Sequence, residues 1–135
     1  MDAGLSGSEI QAAWMGNAAG GVVQGQEMIS GQVALRELGI GRIPVVNVEN
    51  ACATSSTAFN QACAMVTAGL YDVVLACGFE KLFHEDKART FAAFDGAVDT
   101  EQSDGMLGAL EALAEKAGEV VDVENAGKTR SVFMD

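Results

Sequence analysis

Long apolar runs are missing from this 135-residue chain. No stretch approaches the ~18 uncharged apolar residues of a membrane helix, so no membrane span is expected. The N-terminus, MDAGLSGSEIQ, lacks a basic stretch followed by an apolar one, and no secretory signal is visible there. Basic residues are scarce: eight against nineteen acidic ones give a net charge of -11, which argues against nucleic acid and anionic membranes as partners. There is no C-x-x-C pair, and the cysteines (Cys52, Cys63, Cys77) are odd in number. That excludes a closed disulfide framework and a standard zinc site, so no metal is expected, and it fits a reducing cytoplasm. Proline occurs once against sixteen glycines, a balance that an α/β domain with many tight strand–helix turns produces.

What is present is a core. Hydrophobic residues make up 49% of the chain, enough for one packed domain at this length. Ile10–Asn17 is a short apolar run ended by Gly16, Asn17 and Gly20-Gly21, and reads as a strand. Met28–Leu38 places Met28, Ile29, Gln32/Val33, Leu35 and Leu38 at helical spacing, stopped by Gly39 and Gly41. After Pro44, the valines 45, 46 and 48 mark a buried strand. Thr54–Gly69 carries Phe59, Ala62/Cys63, Val66 and Leu70 at helical intervals, and Asp72–Cys77 is a second continuous apolar strand closed by Gly78. Strands alternating with helices, and continuous apolar strands, predict a mostly parallel sheet with helices on both faces.

Charge divides the chain. Residues 1–79 hold six acids and two bases, and residues 80–135 hold thirteen acids and six bases. The first segment reads as the α/β core, the second as an acidic excursion. Within the second, Phe83–Asp99 reads as a loop with helical turns around Phe83, Phe91 and Phe94. Asp104–Ala117 reads as an amphipathic helix with Asp104 as N-cap, and EVVDVEN as a short strand after Gly118.

Chemistry concentrates in Val45–Gly69. A buried strand runs into Glu49-Asn50-Ala51-Cys52-Ala53-Thr54-Ser55-Ser56, and a helix follows at once. At a helix N-terminus, unpaired N–H groups and the macrodipole favour negative charge, which promotes the thiolate, the nucleophilic form. The small neighbours Ala51, Ala53, Ser55 and Ser56 would let a substrate approach the sulfur. From the residues alone, a nucleophile and a plain buried thiol both stay open, since free cysteine commonly packs as a small hydrophobe. Cys63 and Cys77 read as core. Gly39-Ile40-Gly41 precedes a strand instead of opening a helix, so it is no dinucleotide loop. His84, Glu85 and Asp86 read as a solvated charged turn, His84 as a loop surface residue, and Trp14 and Tyr71 as core and strand-edge residues.

The string VENACATSSTAF, followed by AMVTAGLYDVVLACGFEKL, resembles the nucleophile region of the thiolase family, closest in flavour to its sterol-carrier type of acetyl-CoA acetyltransferase. DAGLSGSEIQAAWMGNAAGG resembles the helix end and second strand of these domains, and RSVFMD a segment of the loop region that they insert. The likeness covers most of the chain. It implies a thiolase-like α/β fold, with residues 1–79 a partial N-terminal core and residues 80–135 the start of the inserted loop region. Cys52 then corresponds to the acyl-accepting nucleophile, its backbone N–H to an oxyanion donor, and the substrates to coenzyme A thioesters, with no bound cofactor. Lys81, Lys87, Arg89, Lys128 and Arg130 are the local candidates for CoA phosphates, and Phe83, Phe91 and Phe94 either line an acyl or pantetheine surface or pack the loop onto the sheet.

The resemblance also sets expectations of absence. The family's Gly-His-Pro-type histidine, its second cysteine and its Asn- or His-containing motif are not matched here, so the chain is expected to be an internal fragment, inactive by itself. Two other readings stand beside it: a ketoacyl-synthase-like condensing enzyme, for -ACATSS- occurs there too, and a non-thiolytic thiolase-like subunit, an aldolase or scaffold, of a larger assembly. Carried over by resemblance, the strand order is third, second, first, fourth, fifth, with the first strand lying before Asp2. Gln11–Gly16 and Val73–Cys77 would then stand roughly 10 Å apart, since neighbouring strands sit about 4.8 Å apart, with unpaired backbone rows facing a vacant slot. Val45–Val48 would be an edge that pairs with its twin in a homodimer.

Overall fold

The computed structural model describes residues 3–118. The chain divides into two compact units, residues 1–82 and residues 83–135. The first is α/β. Its elements run β1 (Ala12–Gly16), α1 (Gly20–Gln24), α2 (Ser30–Glu37), β2 (Val45–Val48), a 3-10 turn at Ala51–Ala53, α3 (Thr54–Thr67) and β3 (Val74–Gly78). The three strands are parallel and lie in the order β2-β1-β3.

That order corrects the strand arrangement carried over by resemblance. β1 meets β2 from Ala13 opposite Val45 to Gly16 opposite Val48, and meets β3 from Ala12 opposite Val74 to Gly16 opposite Gly78. There is no slot between them. The pairing extends past both ends of the ladder, with Gln11 N–H donating to the Val73 carbonyl at 3.0 Å and Phe79 N–H to the Gly16 carbonyl at 3.0 Å. The Gln11 side chain seals the lower end by accepting from Asp72 N–H at 2.6 Å and Val73 N–H at 3.0 Å. Direct pairing satisfies the backbone groups that a vacant slot would have stranded.

All five residues of β1 are buried. Its alternate side chains feed two cores, one on each face of the sheet. Ala12 and Trp14 pack with Val48, Ala58 and Ala62 beneath α3, and Met65, Tyr71 and Val74 close the edge. Trp14 and Tyr71 meet edge to face, with ring centroids 6.1 Å apart. Ala13 and Met15 pack with Leu35 of α2 on the other face, with Ile40, Ile43, Leu75 and Cys77 around them. Opposite faces are what topology demands: the β1-to-β2 and β2-to-β3 crossovers run in opposite directions across the sheet, and right-handed crossovers then put their helices on opposite sides.

Two helices bury only part of what the apolar spacing selects: Leu35 in α2 and Ala62 in α3 are buried as expected, and most of the other selected residues are not. In α3 the inward face is Thr54, Ala58 and Ala62, small side chains that let the helix sit close over Trp14. Of the expected stripe only Ala62 is buried; Phe59 is 63% exposed, Val66 41% and Leu70 65%, and Cys63 is exposed, not core. Helix α2 begins at Ser30, after Met28 and Ile29, which are both exposed, and it buries Gly31 and Leu35. Gly39, with φ 70°, ends it as expected. The short α1 has no signal in the sequence, because Gly20-Gly21 reads as punctuation after β1. Its first turn is instead held by side chains: Gly20 N–H donates to Asn17 Oδ1 at 3.0 Å, and Ala18 and Ala19 N–H donate to Glu80 Oε2 at 2.8 and 3.0 Å.

In the second unit, the segment expected to be a loop with helical turns contains α4 (Lys87–Asp95), capped by Asp86, whose carboxylate accepts from Ala88 N–H at 3.0 Å. Helix α5 spans Ser103–Ala117 with Gln102 at the N-cap position, so Asp104 falls inside the helix and not at the expected N-cap. Asp99 supplies the local turn instead, accepting from Glu101 N–H at 3.0 Å. EVVDVEN and RSVFMD lie outside the described residues.

Helix α2 approaches the sheet closely at Gly31, where a Cβ would sit 2.5 Å from Met15 Cβ and 2.7 Å from Asn47 Oδ1. Gly31→Ala is therefore expected to cost about 1–3 kcal/mol by overpacking. Gly41→Ala, with nothing within 4 Å of the added carbon, should change stability by less than about 0.5 kcal/mol. Denaturant midpoints of the two variants against the parent check both.

Candidate active site

The carboxyl ends of the three strands are Gly16-Asn17, Val48-Glu49 and Gly78-Phe79. The chain leaving β1 passes to the α2 face and the chain leaving β2 to the α3 face. In parallel α/β sheets such a divergence between adjacent strands opens a crevice at their carboxyl ends, where ligands bind. Cys52 lies on the turn that leaves β2 there, and its side chain is exposed.

Local hydrogen bonds build that turn. Ala51 is left-handed, with φ 44°, a conformation that costs an L-residue about 1–2 kcal/mol. It is held from both sides. Ala51 N–H donates to Glu49 Oε1 at 2.6 Å, and the Ala51 carbonyl accepts from the Thr54 hydroxyl at 2.7 Å and from Thr54 N–H. The same hydroxyl accepts from Asn50 N–H at 2.8 Å. Asn50 Nδ2 donates to Thr57 Oγ1 at 2.9 Å, tying the turn to the second turn of α3. Ser56 Oγ donates to the Ala53 carbonyl at 2.9 Å. Among the described residues, neither the Cys52 N–H nor its Sγ has a hydrogen-bond partner.

The turn is seated on two paired glycines. A Cβ on Gly16 would lie 2.9 Å from Thr54 Cγ2, and one on Gly78 would collide with Ser55 Oγ. Gly16 and Gly78 are register partners at the ends of β1 and β3, so together they present bare backbone to the first turn of α3. Beside them, Asn17 Nδ2 donates to the Phe79 carbonyl at 2.6 Å, and Glu80 spans Asn17, Ala18 and Ala19, stitching the ends of β1 and β3 together.

The other sequence candidates fall elsewhere. Cys77 is half-buried on β3, within the α2-face core. His84 is half-buried in the second unit, its Nδ1 accepting from Asp86 N–H at 3.0 Å. Among the described residues, no three His, Cys, Asp or Glu side chains gather as a metal site. Lys81 and Arg89 are exposed, Lys87 Nζ sits 4.3 Å above the Phe83 ring, and Phe91 and Phe94 are half-buried. Lys128 and Arg130 lie outside the described residues. Gly39-Ile40-Gly41 leads into β2 as expected. It lines, with Gln32, Leu35, Arg36, Arg42 and Val45, a cavity of about 360 Å³ at the end of β2 away from Cys52. Glu49, Asn50, Thr54 and Glu80 were not singled out from the sequence. Thr54 carried a signal, a hydroxyl residue at the start of a helical pattern, but that marks a cap and not a bridge back across the preceding turn.

Comparison with known proteins gives the family. The model described as "Thiolase, N-terminal domain" matches residues 1–124. Over 99 residues, 73% of this chain and 24% of the relative, the sequence is 38% identical to an acetyl-CoA acetyltransferase of Methanocaldococcus jannaschii. It is 38% identical to sterol carrier protein 2 of Gallus gallus over 73% of this chain and 17% of that protein. It is 33% identical to benzoylsuccinyl-CoA thiolase subunit BbsB of Thauera aromatica over 73% of this chain and 25% of that one. The chain belongs to the thiolase family. It spans about a quarter or less of the length of these relatives. No helix among the described residues is long and apolar enough to cross a membrane.

Exposure orders the three thiols. Brief iodoacetamide treatment at neutral pH, read by peptide mass spectrometry, should label the exposed Cys52 and Cys63 before the half-buried Cys77. Labelling that begins at Cys77 would contradict this packing.

Proposed function

We propose that the chain carries the acyl-accepting nucleophile of a thiolase-type acyltransferase acting on coenzyme A thioesters, and that Cys52 is that nucleophile. One observation carries the reading: in a chain of the thiolase family, Cys52 alone of the three cysteines lies at the start of a helix, on an exposed turn at the carboxyl end of the sheet. Its thiolate attacks the thioester carbonyl carbon, and the oxyanion that forms draws on the unpartnered Cys52 N–H. Collapse expels CoA as its thiolate and leaves the acyl group on Sγ. In the synthetic direction, the α-carbanion of a second acyl-CoA then attacks the enzyme-bound carbonyl, forming a carbon–carbon bond, releasing 3-oxoacyl-CoA and restoring the thiolate. Thiolysis is the reverse. This chemistry runs on the thiol and needs no resident cofactor.

Deprotonating the second acyl-CoA needs a base, and the single histidine, His84, is already engaged by Asp86 N–H. The chain alone therefore accepts an acyl group without sustaining turnover. We place it in the cytoplasm, in keeping with its free thiols. We also propose that the working protein is a homodimer joined through Val45–Val48, an outer strand on which Val46 is 40% exposed. A relative whose name makes it a thiolase subunit supports, as a second reading, membership of a larger assembly.

Acetyl-CoA is the test substrate. Incubation with the chain should release CoA once, without steady turnover, and peptide mass spectrometry should find a hydroxylamine-labile acetyl group on Cys52. Cys52→Ala should lose both signals. Acetyl transfer to Cys63 or Cys77, or steady thiolysis of acetoacetyl-CoA by the chain alone, would overturn the proposal.

A further inference from the structure

Thr54 is the only buried polar residue among those described, 5% exposed, and nothing in the acyl-transfer chemistry uses it. Its side chain nevertheless brackets Cys52. The hydroxyl proton goes to the Ala51 carbonyl at 2.7 Å, immediately before the cysteine, and a lone pair receives Asn50 N–H at 2.8 Å. A hydroxyl can serve both partners at once because it is donor and acceptor together. The bridged segment includes Ala51, which is left-handed at φ 44°. Relaxing Ala51 to a negative φ would break the bridge and swing Cys52 and its N–H to a new direction. The methyl group has a separate task, resting on the backbone of Gly16.

We propose that Thr54 is the positioning residue of the Cys52 turn: its hydroxyl bridge from Asn50 N–H to the Ala51 carbonyl locks Ala51 in the left-handed region and so aims the Cys52 thiol and N–H at the substrate. The proposal deepens the reading of Cys52 as nucleophile and rests on it for its catalytic meaning. Bridging and packing are separable by substitution. Thr54→Val keeps the shape and the methyl contact but loses the bridge, whereas Thr54→Ser keeps the bridge and loses the methyl.

The experiment uses the whole chain and two readouts: the rate of Cys52 acetylation by acetyl-CoA, and the ratio of Cys52 to Cys63 alkylation by iodoacetamide in the same molecules. Cys63, exposed on the same helix, is the internal reference for general loosening. Thr54→Val should lower Cys52 acetylation by about tenfold or more, the scale expected for a misplaced reacting group, and should change the alkylation ratio while Cys63 keeps its own rate. Thr54→Ser should restore both to within about threefold of the parent. An unchanged ratio in Thr54→Val, or a Ser variant as impaired as the Val variant, overturns the proposal. If Thr54→Val unfolds, seen as Cys63 and Cys77 labelling at the rate of a denatured chain, Thr54→Ser decides alone: a parent-like ratio supports the bridge and a shifted one overturns it. If the parent takes no acetyl group, the nucleophile reading fails, and the alkylation ratio still decides whether Thr54 fixes the turn.

Discussion

The arrangement around Cys52 depends on one close contact, the first turn of α3 lying directly on the backbone of Gly16 and Gly78. Side chains at those two positions would lift the helix, and with it Thr54, whose hydroxyl holds the preceding turn. The contact is possible because β1 and β3 are neighbours in register, which places their terminal glycines side by side. Strand order, strand ends and the geometry of the cysteine turn are thus a single constraint seen at three scales. Small residues continue the same logic along the helix, with Ala58 and Ala62 keeping α3 low over Trp14.

Much of this was legible along the chain. The valine-rich run at 45–48 and the apolar run ending at Gly78 are strands, Gly39 ends a helix, and Cys52 falls on the turn between β2 and α3, because each of these features is written in local preference and punctuation. The order of the strands was not. Which strand is central is decided by pairing between distant segments, and Ala12, Ala13 and Gly16 do not declare by their type that β1 is covered on both faces. The orientation of α3 was misleading for a related reason. Apolar spacing through Phe59, Cys63 and Val66 identifies a face, but the sheet is contacted by the face whose side chains are small enough to let the backbones approach.

The candidate site divides in the same way. Cys52 stands out because a thiol at a strand-to-helix turn has a recognisable chemical meaning and lies in a string that resembles the thiolase nucleophile region. The groups around it do not stand out, since Asn50, Thr54 and Glu80 act through backbone N–H and carbonyl groups, and polar residues of these kinds occur in turns everywhere. Their work shows only when the backbone they bind is placed in space. Glu80 illustrates this well: 61 to 62 residues separate its carboxylate from the two N–H groups it receives.

A central strand that precedes both of its partners along the chain has a consequence for the order of assembly. Ala13 finds one partner in Val45 and the other in Leu75, so during synthesis β1 has one flank occupied long before residues for the other exist. Until then Trp14 can be covered only in part, because Ala58 and Ala62 of α3 also lie downstream. Closure of such distant pairs is slow compared with helix formation. For a ribosome-bound chain, the interval between the emergence of Val48 and that of Gly78 is when β1 has one flank paired and one open, and an unpaired strand edge is the part of a nascent chain most prone to aggregate.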